Sequence, residues 1–459
     1  MREGYNNLHI VTVDGLDRIY EDGGILYEDG VITHVGDRAY IEEKAGELKI
    51  ELKDGKGRYL FPGLINTHTH LYQDIMKGMG SDLSLEDWFP KSMAPAGAVL
   101  RERHVAAGVK LGLAEAIRCG VTTVADYMQL QPVKGLGKLE LDIAKDMGVR
   151  MVYGRGYRDI GKKELVEKAE DVFADVTALK EEFEGDGMYR VWLAPAAGWG
   201  ASLELLKATR EYADRNATPI MMHMFETGTD DKISRERNGK SAIRHYEESG
   251  LLGADLLAVH SVAIGEEEIS TYARNHVSVS YNPIANMYLA SGVAPVGEML
   301  KAGITVAIGT DGAGSNNDND MLEAMKFGAL LQKTFHKDPL AMTAGGMLRM
   351  ATIEGARALG LDQLVGSIEV GKKADFFLFD PAKSVKSCPV HDIVATLIYS
   401  GDHKAVDTVV INGKTVMEEG RFLLADEQEI LNTAQLMAED LVMLSVTSSV
   451  SIWLKRKKV

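Results

Sequence analysis

The stretch Tyr59-Leu-Phe-Pro-Gly-Leu-Ile-Asn-Thr-His-Thr-His70 decides the fold. Its apolar run, Tyr59–Asn66, has the length and composition of a buried β-strand. Side chains i and i+2 of a strand share a face, so His68 and His70 leave the strand aimed at one point. Two imidazoles converging at a strand's exit are what a bound metal ion requires. A His-x-His alone is a weak signal, because surface or core histidines produce it too. Histidines and carboxylates farther along the chain give this one its meaning.

Seven more strand candidates lie downstream: Thr122–Tyr127, Arg150–Gly156, Tyr189–Ala196, Pro219–Phe225, Asp255–His260, Val277–Tyr281 and Thr305–Gly309. Helical stretches such as Glu102–Arg118 and Glu266–Asn275 separate most of them. Apolar strands alternating with helices imply a parallel sheet. Eight units over about 300 residues fit a (β/α)8 TIM barrel better than an open doubly wound sheet. No glycine-rich phosphate loop stands behind the first strand, which removes the obvious nucleotide-binding alternative.

Both ends of the chain have a different texture. Short strands (His9–Val13, Gly24–Tyr27, Val31–Val35) are punctuated by the turn pairs Asp14-Gly15, Asp22-Gly23 and Asp29-Gly30. Similar strands return at Ala374–Phe379 and Val406–Ile411, the latter followed by Asn412-Gly413. The expected division is a small β-sandwich from residues 1–58 and 365–425, a barrel over 59–364, and a C-terminal helix and tail over 426–459. In that helix Ile430, Ala434, Met437, Leu441 and Leu444 form a stripe read as packing or an oligomer contact. The basic tail Trp453–Val459 is read as a solvated terminus.

Composition narrows the class. The chain has 459 residues, 45% hydrophobic content and a formal charge of −16. Nucleic acid and anionic membranes attract basic surfaces, so neither is expected as a partner. Cys119 and Cys388 are too few for a disulfide framework, and no apolar run reaches transmembrane length. A cytoplasmic location is the expectation.

Chemistry in such a barrel belongs at the C-terminal ends of its strands. Strand one exits at His68 and His70, strand five offers His223 and Glu226, strand six ends on His260 and strand eight on Asp311. Taken singly, His260 reads equally well as a core histidine, Asp311 before Gly312 as a turn residue, and Glu226 as a helix-start acid. Independent turn and core residues have no reason to gather on one barrel rim, and the joint reading is a metal site.

Pro62-Gly-Leu-Ile-Asn-Thr-His-Thr-His70 resembles the first-strand signature of the amidohydrolase superfamily. His223-Met-Phe-Glu226, His260 and Gly309-Thr-Asp-Gly312 resemble its deaminase and chlorohydrolase branch, as do Asn282–Asn286, Ser291–Pro295 and Gly366–Asp375. The resemblance implies that His68, His70, His223 and Asp311 hold one divalent ion, zinc in preference to iron. Binuclear members carry a lysine at the end of strand four, and Val191–Gly198 has none. The resemblance further implies hydrolysis by water whose pKa the ion lowers from about 15.7 towards about 7. Asp311 takes the proton, Glu226 protonates a ring nitrogen, and His260 orients the nucleophile. Ammonia is the expected leaving group; chloride or an alkylamine on a triazine is the alternative. A catalytically silent barrel scaffold is the non-enzyme alternative, and intact Glu226 and Asp311 speak against it.

Two departures bear on the substrate. Nucleoside deaminases of the branch, acting on methylthioadenosine and S-adenosylhomocysteine, carry a histidine where this chain has Ala196. They also carry a ribose-gripping glutamate, for which Met93–Val99 has no acid. A buried ribose without polar partners is held poorly. The expected substrate is therefore a free aminated heterocycle: a purine-like base, a pterin or an s-triazine; a nucleoside, methylthioadenosine or S-adenosylhomocysteine, is the alternative. Gln73, Trp88, Trp199 and Asn286 are the candidate substrate contacts, and a homo-oligomer is expected by resemblance.

Overall fold

The computed structural model describes residues 2–163 and 165–448. Eight parallel strands form the barrel: Leu64–Thr69, Val121–Met128, Arg150–Tyr157, Tyr189–Pro195, Ile220–Met224, Leu256–His260, Ser278–Tyr281 and Val306–Ile308, each paired with its chain neighbour. Nearly every residue in them is buried. This is why they read as continuous apolar runs rather than alternating ones: helices cover the outer face of such a sheet. First and last strands close on each other through the Thr67 hydroxyl, which donates to Ile308 O (2.9 Å). The Asp311 N–H also donates to His68 O (2.9 Å).

The first strand differs from expectation. Its leading half belongs to Lys53–Pro62, which pairs parallel with Arg2–Val11 and antiparallel with Phe376–Phe379 in a second sheet. The chain enters the barrel only at Leu64, so the change of layer falls at Pro62-Gly63 and not at residue 59. Pro62 has no N–H to continue a ladder. A Cβ at Gly63 would lie 2.1 Å from Thr122 Oγ1, so only glycine fits where the chain crosses between sheets.

The second sheet also has eight strands, in the order Arg421–Phe422, Lys414–Glu418, Val406–Ile411, Phe376–Phe379, Lys53–Pro62, Arg2–Val11, Ile19–Glu28 and Val31–Asp37. It is the small β unit expected from the two chain ends. Asp29-Gly30 and Asn412-Gly413 both have positive φ at each position and make two-residue hairpins. Asp22-Gly23, read as a turn, lies instead inside Ile19–Glu28, and a helix, Arg38–Leu48, stands where the sequence reading has none. A fully buried ion pair stitches the two layers together: the Arg150 Nη2 lies 2.9 Å from Asp375 Oδ1, and Nε lies 3.1 Å from Oδ2.

The C-terminal helix Glu427–Ser448 packs against Glu102–Arg118, burying Ile430, Ala434 and Leu441. The stripe is thus intramolecular packing, fastened by Asp440 against His104 Nε2 (2.8 Å). The basic tail lies outside the described residues. Among those residues no helix is long and apolar enough to cross a membrane.

Candidate active site

The strand ends bring the predicted rim residues together. Ligand atoms of His68, His223, His260 and Asp311 all lie within 4.8 Å of one another. His70 joins them, with Nε2 3.2 Å from His223 Nε2 and 3.4 Å from Asp311 Oδ1. Both ring nitrogens of His68 are buried without a hydrogen-bond partner, although Nε2 stands only 3.3 Å from Asp311 Oδ1. Buried polar atoms left in this way call for a missing partner.

Hydrogen bonds behind the rings fix which nitrogens are free. His70 Nδ1 bonds the carbonyl of Tyr127, so Nδ1 carries the proton and Nε2 keeps its lone pair for the centre. His260 is set the opposite way. Asn286 Nδ2 approaches His260 Nδ1 at 3.0 Å, with Asn282 Nδ2 at 3.4 Å. The neutral ring therefore accepts at Nδ1 and carries its proton on Nε2, which faces Glu226 Oε2 (3.7 Å) and Asp311 Oδ2 (4.0 Å). His68, His70 and His223 offer three ring nitrogens, and Asp311 one carboxylate, around the same point. That N3O set fits a divalent ion such as zinc. Strand four, Tyr189–Pro195, contains no lysine that a second ion would need.

Electrostatics agree with this division. Burial, reinforced by the neighbouring imidazoles, lowers His70 to about 4 and His223 well below the ordinary histidine value. Burial likewise takes His260 down to about 3. All three are neutral at physiological pH. Glu226 goes the other way: burial, Asp311 and Asp230 together push it well above the carboxylate range, keeping it protonated. Burial would raise Asp311 too, but the imidazoles of His68, His260 and His70 outweigh it and hold the carboxylate ionised. One proton donor and one ionised acceptor thus face each other across the site. Asp311 is further fixed by the Gly312 N–H (2.7 Å) and the Ser315 hydroxyl (3.0 Å). Both His260 (φ +77°) and Asp311 (φ +63°) sit in left-handed backbone, a strain of about 1–3 kcal/mol each of the kind found at functional sites.

A cavity of about 390 Å³ opens above these groups, lined by His70, His223, Glu226, His260 and Asp311 at its floor. Leu85, Trp88, Phe89, Trp199, Ile233 and Leu289 form an apolar wall, and Glu86, Gln129, Thr227, Thr229 and Arg237 are among its polar groups. Of the four expected substrate contacts, Trp88 and Trp199 line the cavity. Gln73 and Asn286 do not. Gln73 is buried, accepting from the Gly314 N–H (3.3 Å) and donating to Tyr72 Oη (3.2 Å), and it braces the loop after Asp311. Asn286 stands behind His260. Sequence reasoning misses Tyr127, whose carbonyl orients His70. The signal for it is its place at the end of strand two, the same position that marks the rim residues of strands one, five, six and eight.

Fold and site together define a metal-dependent hydrolase built on a TIM barrel. The chain belongs to the amidohydrolase family, whose model matches residues 59–416. It is 36% identical to a 5′-deoxyadenosine deaminase of Methanobrevibacter smithii over 91% of this chain and 94% of that protein. It is similar in structure to a zinc-bound adenosine deaminase of Xanthomonas campestris (TM-score 0.88, 28% identity, covering 96% of this chain and 98% of that one). The zinc-bound atrazine chlorohydrolase of Arthrobacter aurescens is a further likeness (TM-score 0.89, 26% identity, 95% and 99% covered). The protein is an enzyme that hydrolyses C–N bonds other than peptide bonds.

Proposed function

We propose that the protein hydrolytically deaminates a 6-aminopurine nucleoside with an apolar 5′ end, using one zinc ion held by His68, His70, His223 and Asp311. The carrying observation is the convergence of His68, His70, His223, His260 and Asp311 on one point at the cavity floor, with Glu226 Oε2 3.7 Å from His260 Nε2. The bound ion supplies water acidified towards neutral pKa. Glu226 donates its proton to the ring nitrogen next to the carbon under attack, which avoids a full anion on the ring. Asp311, ionised and held by Gly312 and Ser315, takes the nucleophile's proton and passes it to the departing amine. His260, with its proton on Nε2, hydrogen-bonds the nucleophile and keeps it aimed.

The nucleoside reading draws on the near-full-length likeness to a 5′-deoxyadenosine deaminase, and on an apolar wall suited to a 5′ end without a hydroxyl. Gly97, in the segment expected to lack a ribose-binding acid, packs on Leu130, and a Cβ there would meet it at 2.2 Å. Glu86, Gln129, Thr227 and Thr229 are the cavity groups left to meet sugar hydroxyls. A second reading, a free heterocycle or triazine, keeps support from Ala196 and from the likeness to atrazine chlorohydrolase.

Ammonia release by zinc-loaded protein tests both. The panel is 5′-deoxyadenosine, methylthioadenosine, guanine, 8-oxoguanine, pterin and aminated s-triazines. Turnover of the nucleosides is expected; turnover of free heterocycles alone replaces the first reading by the second. Silence from every member, with zinc bound, refutes deamination.

A further inference from the structure

A chain of hydrogen bonds runs from the loop after Asp311 to the cavity, and its direction is fixed at one end. The Gly314 N–H can only donate, so the Gln73 atom 3.3 Å from it is the amide oxygen. Gln73 Nε2 is left to donate to Tyr72 Oη (3.2 Å). Tyr72 is fully buried, and among the described residues its phenol has one other hydrogen-bonding neighbour, the Gln129 amide at 3.0 Å. A phenol carries its proton at neutral pH and, when buried, needs an acceptor for it. Gln73 supplies none, so the acceptor is Gln129.

The two ends of an amide are alike in shape, and the count of protons decides between them. With Gln129 Nε2 against the phenol, two donors meet one oxygen and the phenol proton has no acceptor. Half a turn of the amide pairs the Tyr72 O–H with Gln129 Oε1 and moves Nε2 to the other end. That end has no protein partner among the described residues and is not sealed, because Gln129 is half-buried and lines the cavity. The cavity is thus offered an N–H. Gln129 follows strand two, two residues beyond the Tyr127 carbonyl that holds His70, whereas Glu226 follows strand five, three strands round the rim.

We infer that Gln129, through its amide N–H, reads a hydrogen-bond acceptor on the heterocycle, N7 of a 6-aminopurine, and that Tyr72 is the positioning residue that sets the amide's direction. The inference rests on the deaminase reading for how the ring lies, with the carbon under attack at the floor and N1 towards Glu226. N7 flanks that carbon on the side away from N1, which is the side of strand two. Glu86, Thr227 and Thr229 are then the groups that serve the sugar.

A matched pair tests it: 5′-deoxyadenosine against its 7-deaza analogue, which has a C–H in place of N7. Binding is measured by calorimetry on zinc-loaded Glu226→Gln protein, in which turnover is removed. The parent should bind roughly tenfold more tightly than the analogue, the effect of one hydrogen bond from a donor that the ligand desolvates. Gln129→Glu still accepts from Tyr72 but turns an oxygen to the cavity, and Tyr72→Phe leaves the amide undirected. Either change, added to Glu226→Gln, should bring the ratio below about threefold while the analogue's own affinity stays within about threefold. A loss of affinity for both compounds alike would mark a merely structural role. A ratio near one, or binding of neither compound, overturns the inference, and so does a tenfold ratio that survives Gln129→Glu. Should Tyr72→Phe fail to fold, Gln129→Glu decides. Wild-type ammonia release separates this inference from the reading beneath it. Release from 5′-deoxyadenosine with a ratio near one removes the Gln129 contact alone; a tenfold ratio without release keeps the contact and refutes the deaminase.

Discussion

Asn286 Nδ2 stands 3.0 Å from His260 Nδ1, and this contact decides what His260 does. By occupying the lone pair on Nδ1 it leaves Nε2 protonated, turning a potential metal ligand into a hydrogen-bond donor. Asn286→Leu removes the donor and frees the ring to adopt the other tautomer. Activity should fall roughly 10–100-fold, as for other partners that orient site histidines. Zinc stoichiometry should stay at one per chain. Loss of zinc along with activity would place His260 among the ligands.

Glu226→Gln keeps shape and hydrogen bonding but cannot give up a proton. A fall of about 10²–10⁴-fold in kcat is expected, with metal content and melting temperature retained. Activity near wild type would remove Glu226 from the proton path.

Asp230 gives a pH-dependent prediction. Burial raises its carboxyl from 3.8 to about 7 in the folded protein, against hydrogen bonds from the Phe225 and Glu226 backbone. Between about pH 4 and 7 the unfolded chain is therefore ionised at this position while the folded chain holds a proton. The folded state binds more protons, so this group's contribution to stability falls as pH rises through that window. Asp230→Asn removes the titration and can still accept from the Phe225 N–H. The variant should match wild type near pH 4 and gain on it towards pH 8, by up to a few kcal/mol. Denaturant melts at both pH values check this, and a constant difference would contradict it.

Arg150 and Asp375 are both buried, and Asp375 also accepts from the Asn412 N–H (2.7 Å). Asp375→Ala leaves a buried guanidinium without its partner and should cost about 3–5 kcal/mol. Arg150→Met in the same chain should restore part of that loss, because Asn412 still lacks its acceptor. Chemical denaturation of the two single variants and the double variant measures the coupling.

Much of the site is legible in the sequence because barrel chemistry sits at strand ends, and strand ends are local features. His68, His70, His223, Glu226, His260 and Asp311 each follow an apolar run, and the fold alone brings them to one rim. The small β unit is legible from its turn pairs, Asp29-Gly30 and Asn412-Gly413, for the same local reason. Less local properties read poorly. Gln73 and Asn286 look like ligand-binding amides in sequence, but their partners are Gly314 and His260, far along the chain.

Residue order alone therefore establishes that strands alternate with helices, where the strands end, and which residues with metal-binding chemistry stand there. Periodicity and residue type encode those features within a few neighbours. Three-dimensional packing settles the rest: the layer change at Gly63, set by Thr122; the tautomer of His260, set by Asn286; and the stacking of Arg158 on Phe89 and Trp199. Each depends on atoms brought together from distant parts of the chain, and close packing, not local preference, fixes their separation.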